Sequence, residues 1–152
     1  SALSGVKNLK NAMSGKYLNV DYGKDINGTN IYQWTRDNST EQKFKIVNSN
    51  DHYLIYAMCS SSGNDKMVTS VSPYAGANVH LYEKISDQQQ QWIITQVANS
   101  SAYTIALKSN PELVLTAHDS SNGSGTGTDY SSTGNVYLSQ YSGYSSQMWY
   151  IE

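Results

Sequence analysis

Asn30-Ile31 stands twelve residues ahead of Gln42-Lys43-Phe44, and the arrangement recurs as Asn78-Val79 with Gln90-Gln91-Trp92 and Asn135-Val136 with Gln147-Met148-Trp149. Each instance joins an Asn and a β-branched residue to a Gln-x-aromatic, and the separation is constant: 42 − 30, 90 − 78 and 147 − 135 all equal 12. A threefold internal repeat sets the architecture before local propensity is weighed. Aligning the instances divides 1–152 into blocks of roughly fifty residues, near 1–52, 53–102 and 103–152, within the single domain that 152 residues imply.

Four short strands are expected in each block. The first is Val6 to Leu9, Tyr53 to Ala57 and Tyr103 to Lys108, and the second is Tyr17 to Asp21, Met67 to Val71 and Leu113 to Ala117. The third runs from each motif Asn and the fourth from each motif Gln. Strands this short, separated by Ser, Gly, Asn and Asp clusters, mark an all-β chain with no helix of consequence. Twelve of them in three equal sets fit closure around a threefold axis, which removes exposed sheet edges and makes the architecture a β-trefoil of four-stranded repeats.

Alternation along the third strand places Ile31 and Gln33, Val79 and Leu81, and Val136 and Leu138 on the core face. Tyr32 and Trp34, His80 and Tyr82, and Tyr137 and Ser139 take the other face. The two-residue step from Gln to aromatic sends Phe44, Trp92 and Trp149 to the centre, and the Gln amides must then be satisfied by loop backbone. The third block is irregular: Leu115 to Asn135 spans 20 positions against 12 for Leu18 to Asn30, and the excess, the Gly- and Ser-rich stretch 120–127, reads as a mobile surface insertion.

Composition narrows the function. A formal charge of -2 with no basic stripe argues against a nucleic-acid partner. No run is long enough for a membrane span and no signal peptide is evident, so membrane insertion is not expected. The chain begins at Ser1 without an initiator Met, as a mature chain or a module cut from a longer protein does. Cys59 stands alone, which rules out an intrachain disulfide. Asn27, Asn38, Asn99 and Asn122 head N-x-S/T triplets that a eukaryotic secretory host alone would glycosylate. His52, His80 and His118 have neither ligand spacing nor partner cysteines, so no metal or other cofactor is expected. No G-x-S-x-G elbow and no phosphate-loop setting is present. Thirteen Tyr and three Trp against one Phe favour rings with an apolar face and a polar edge, suited to half-wet surfaces.

The segments Ser14-Gly15-Lys16-Tyr17-Leu18-Asn19-Val20, Gly28-Thr29-Asn30-Ile31-Tyr32-Gln33-Trp34 and Glu41-Gln42-Lys43-Phe44-Lys45-Ile46-Val47 together resemble the ricin B-type lectin repeat of carbohydrate-binding modules in family 13. The resemblance extends over essentially the whole chain. It implies a surface sugar site in each repeat: a strand-two Asp for the hydroxyls, a strand-three aromatic against the ring, and a polar residue just before the motif Gln. A pyranose has an apolar C–H face and a polar rim, so it calls for an aromatic plate beside fixed acceptors. Carried over by position, the first repeat supplies Asn19, Tyr32, Trp34 and Glu41. The second supplies Thr69, His80, Tyr82 and Gln89, and the third Thr116, Tyr137, Ser139 and Ser146.

This chain departs from that pattern. No repeat has a carboxylate at the Asp position, so Asp21 or Asp119 would have to reach in from two or three residues later. Ser139 replaces the aromatic plate in the third repeat, where Tyr141 would substitute only through altered local geometry. The first repeat therefore ranks first as a site and the third last. Tyr22 and Tyr74 stand in loops, where packing is expected in preference to a role as auxiliary plates. Cysteines that brace such repeats are absent, with Tyr17 and Arg36 at two of their positions. The implied function is a non-catalytic module binding galactose- or xylose-containing polysaccharide, extracellular, and part of a larger glycoside hydrolase that it holds to its substrate. The alternative is a protein-interaction or toxin receptor-binding trefoil using the loop from Ser120 to Thr133.

Overall fold

A computed structural model describes residues 2–118 and 134–152. The first repeat holds β1 (Gly5–Lys7), β2 (Leu9–Asn11), β3 (Tyr17–Val20), β4 (Ile31–Trp34) and β5 (Phe44–Asn48). The second holds β6 (Tyr53–Ala57), β7 (Met67–Ser70), β8 (Val79–Tyr82) and β9 (Trp92–Gln96). In the third are β10 (Tyr103–Leu107), β11 (Asn110–Ala117), β12 (Val136–Gln140) and β13 (Trp149–Ile151). The four-strand expectation fails only where Asn8 divides the first strand. Its backbone exchanges hydrogen bonds with Glu152 at 3.1 and 2.9 Å while its side-chain amide donates to Gln42 O at 2.7 Å. One residue thus ties the chain ends to the first motif Gln.

The first and fourth strands of the repeats close a barrel in the order β1, β5, β6, β9, β10, β13, β2, in which β1 and β2 are the two halves of one strand. The second and third strands form three antiparallel hairpins, β3–β4, β7–β8 and β11–β12, over one end. This is the β-trefoil. Phe44, Trp92 and Trp149 meet in the core, all fully buried. Each Trp indole N–H also needs a partner: Trp92 donates to Val68 O at 3.1 Å and Trp149 to Leu115 O at 3.0 Å. Phe44 carries no such donor.

The motif Gln residues act identically. Their Nε2 groups donate to Thr35 O, Glu83 O and Gln140 O at 2.9, 2.8 and 2.8 Å. Their Oε1 atoms accept from the backbone of Asp37, Ile85 and Ser142 at 3.1, 3.0 and 2.8 Å. Each amide therefore clamps the loop after strand three, and each clamped loop turns through one left-handed residue, Asn38, Ser86 or Gly143, at φ 60°, 52° and 79°. The hairpins are stitched where they converge, with Leu81 N–H donating to Thr29 O at 2.8 Å, Leu138 N–H to Ala77 O at 2.9 Å, and Gln33 N–H to Gly134 O at 2.8 Å. Asp119 and the stretch Ser120 to Thr133 lie outside the described residues.

Candidate functional site

The first repeat gathers its polar and aromatic side chains where β3 ends. Asp21-Tyr22-Gly23 makes a 3-10 turn that packs against a second turn, Thr40-Glu41-Gln42. Tyr22 and Gly23 are both left-handed, at φ 51° and 62°. A bulky residue there is a strained choice that persists only where the surroundings enforce it. The turn throws the Tyr22 ring into solvent, 79% exposed, so loop packing, the role expected for it, does not occur. Tyr74 is likewise 71% exposed. A side chain at position 23 would also be crowded: a Cβ there would stand 3.3 Å from Glu41 Cγ, so the Glu41 side chain would have to shift by a few tenths of an ångström.

Asp21 is only 5% exposed, and its Oδ1 has no hydrogen-bond partner. Its Oδ2 lies 3.6 Å from Lys24 Nζ, and the same ammonium sits 5.7 Å from the Tyr22 ring centroid. The Tyr32 pKa is pushed up to about 12 by burial first and then by the nearby charges of Asp21 and Glu41. At neutral pH Tyr32 is therefore a phenol that can donate. Burial, followed by the negative charges of Asp37 and Asp21, holds the Glu41 carboxyl above its ordinary range, while a hydrogen bond with Asn19 pulls the other way. Asn19 itself is buried and donates to Val20 O at 3.0 Å, leaving its Oδ1 without a partner. A half-buried Trp34 meets Tyr32 edge-on at 6.1 Å.

The loop carrying this turn is pinned to the second repeat. Asp25 Oδ1 accepts from Ser60 Oγ and Lys66 Nζ, both at 2.7 Å, and these two bonds hold the Asp25 carboxyl below its usual range. Asn27 accepts from Glu83 N–H at 2.8 Å and donates to the Glu83 carboxylate at 3.2 Å. A site positioned by fixed neighbours loses less entropy when it binds.

The other repeats are built differently. Thr69 and Thr116 are buried with their hydroxyls spent, donating to Met67 O at 2.9 Å and Val114 O at 3.0 Å and accepting from Gln90 and Gln147 at 3.1 and 3.4 Å. Val71 is exposed at the position of Asp21 in the second repeat, so no carboxylate stands there. Gln89 donates to Ser70 O and Val71 O at 2.7 and 3.1 Å, and His80 stacks on Tyr82 at 5.5 Å. Burial lowers the His80 pKa, disfavouring the charged ring. In the third repeat Tyr137 lies 6.1 Å from His118, and the Ser146 carbonyl is taken by Asn11 at 2.9 Å. Tyr141 does not join Tyr137; it lines a separate cleft with residues of β9, β10 and β11. Among the described residues, no group of three His, Cys, Asp or Glu side chains is placed to hold a metal ion. None of their helices is long and apolar enough to cross a membrane.

The sequence profile described as ricin-type beta-trefoil lectin domain-like matches residues 2–65 and 58–131. The chain belongs to that family. The match takes in the first repeat entirely, so the turn of Asp21, Tyr22 and Gly23 and the Glu41 turn both fall inside it. Solved structures agree on the fold of this lectin-like domain. The designed threefold-symmetric protein ThreeFoil is 24% identical with a TM-score of 0.81, covering 97% of each chain. An exo-beta-1,3-galactanase from Clostridium thermocellum is 23% identical with a TM-score of 0.81; the match covers 97% of this chain but 30% of the galactanase. The C-half of an earthworm R-type lectin, solved with GalNAc, is 16% identical over 97% of this chain and 98% of its own, with a TM-score of 0.67. No curated protein sequence matches the chain.

Proposed function

We propose that this domain is a non-catalytic carbohydrate-binding module whose principal site is the Asp21–Tyr22–Glu41 corner of the first repeat. The observation that carries the reading is Asp21: a buried carboxylate oxygen that no protein group bonds gains free energy from a donor that reaches it. Sugar hydroxyls are such donors. The Tyr32 phenol and a second carboxylate, Glu41, lie close enough to Asp21 to feel its charge, and the exposed Tyr22 ring beside it and the half-buried Trp34 further along β4, edge-on to Tyr32, offer apolar faces to sugar C–H groups.

The substrate class is a neutral polysaccharide containing galactose or xylose, and the setting is extracellular. The module serves a larger enzyme by holding a glycoside hydrolase on its polymer. Similarity to a domain occupying 30% of a galactanase supports this arrangement. One shallow site binds weakly, and attachment to a polymer-bound enzyme raises its effective concentration. The test is affinity electrophoresis in gels containing arabinogalactan or xylan. Wild type is expected to be retarded and Trp34→Ala to migrate faster than wild type. Equal retardation of the two on every polymer would refute the site assignment. A reducing-sugar assay on the same polymers is expected to show no hydrolysis.

A further inference from the structure

The third repeat loses its aromatic plate at Ser139, yet Tyr141 lies only two residues further along, just past the end of β12. There it is 42% exposed and forms part of a cleft of about 360 Å³ with Thr95, Gln96, Thr104, Pro111 and Val114. The floor is the buried Val114 of β11, and one wall is the β9–β10 hairpin. Among the described residues that line it, none carries a charge.

The cleft has pseudo-symmetric counterparts that show what made it. In the second repeat the same seam, between the β5–β6 hairpin and β7, is lined by Ser49, Leu54, Met67 and Lys84, with about 230 Å³ of space. It also holds His52 and Asp87, so its lining is ionic where that of the third repeat is neutral. In the first repeat Tyr17 occupies the position of Met67 and Val114. It is buried, it donates to Glu152 Oε1 at 3.0 Å, and Arg36 lies over its ring at 5.5 Å. One seam is thus plugged by an aromatic, one is charged, and one is open with an aromatic on its rim.

We propose that the Tyr141 cleft is a second carbohydrate site, taking a single neutral sugar ring. The chemistry selects this occupant. The lining combines an apolar floor and an aromatic plate with the Thr95 hydroxyl and with Thr104 and Gln96, whose donors are held by Thr95 O at 3.5 Å and Ser100 O at 2.8 Å so that their oxygens are left as fixed acceptors, matching a ring with a C–H face and a hydroxyl rim. With no charged lining residue to compensate an ionic ligand, an acidic sugar or a charged peptide would be desolvated without a partner. The volume lies at the small end of ligand pockets. This inference uses no residue of the first-repeat site and stands or falls separately from it.

The test is a ¹⁵N chemical-shift titration of wild type, Tyr141→Ala and Asp21→Asn with methyl β-galactopyranoside, methyl β-xylopyranoside and cyclohexanol. A glycoside is expected to move the amides of Thr95, Gln96, Val97 and Thr104 in wild type and in Asp21→Asn. The affinity read from those amides should fall about tenfold in Tyr141→Ala. Tyr141 is partly exposed, so its removal should leave the remaining spectrum in place. Glycoside shifts confined to the first repeat would overturn the proposal while sparing the principal site. Cleft shifts with cyclohexanol alone would overturn it in favour of an apolar docking groove, and cleft shifts unchanged in Tyr141→Ala would overturn the assignment of the plate.

Discussion

Asn30 donates its side-chain amide to Asn135 Oδ1 at 3.0 Å, a bond between residues 105 apart in sequence. Two further bonds complete a ring on the pseudo-threefold axis: Asn135 to Asn78 Oδ1 and Asn78 to Asn30 Oδ1, both at 2.9 Å. Each motif Asn donates to one neighbour and accepts from the other. The ring holds the hairpins in mutual register where no β-ladder longer than isolated bridges joins them.

Breaking the ring leaves a donor and an acceptor unmatched in a nearly solvent-free place. Asn135→Ala is expected to destabilise the fold by about 2 kcal/mol, to be measured as a shift of the urea midpoint at constant slope. In thermal unfolding the same change corresponds to a drop of about 6 °C for a chain of this size.

The left-handed residue in each Gln-clamped loop gives a second prediction. Serine at 86 adopts φ 52° without the freedom that Gly143 has in the equivalent loop. Ser86→Gly should stabilise by up to about 1 kcal/mol, because relief of left-handed strain exceeds the added chain entropy. Gly143→Ala should destabilise by a similar amount. Paired thermal melts check both signs.

Gly23→Ala should separate binding from folding. The new Cβ meets Glu41 Cγ in a turn that already has positive φ, so the cost in stability is about 1 kcal/mol. The shifted Glu41 side chain should weaken polysaccharide retardation more than Lys24→Ala does, since Lys24 is largely exposed. Affinity electrophoresis of the two variants side by side is the measurement.

Glu41 sets a pH dependence of defined sign. Its pKa is raised in the fold by burial and by the Asp37 and Asp21 charges, so the folded state penalises its ionised form. That penalty is present in full above the folded pKa and fades as pH falls toward the unfolded carboxylate range. Glu41→Gln should therefore melt higher than wild type at pH 7, with the gap closing on acidification. Asp25, whose pKa is lowered, behaves oppositely, and Asp25→Asn should cost stability at pH 7 and progressively less as pH drops through its folded pKa.

The scaffold was legible because its specifying residues do the same physical work in every repeat. Phe44, Trp92 and Trp149 fill one core, and Gln42, Gln90 and Gln147 make the same pair of backbone bonds. The site was legible only in part. Alternation correctly separated Ile31 from Tyr32, but Tyr32 is buried too, because the 3-10 turns lie over that face. Asp21 was visible as a carboxylate two positions late, whereas its missing hydrogen-bond partner is a property of packing. Tyr22 reads as a loop residue with a packing role; its outward ring depends on a left-handed backbone that residue type does not announce. The hydroxyls of Thr69 and Thr116 turn to backbone carbonyls, a local choice open to any strand Thr. The ring of Asn30, Asn78 and Asn135 joins positions that spacing aligns but does not bring together.

The central claim is that a threefold scaffold carries its principal sugar site in the first repeat, completed by Asp21. The most direct test is the amide shifts of Asp21, Tyr22, Gly23 and Glu41 on adding galactose- or xylose-containing oligosaccharides. The account predicts that these four amides move in wild type and stay still in an otherwise unperturbed Asp21→Asn. It is contradicted if they remain unmoved in wild type by every such sugar, or if Asp21→Asn responds as wild type does.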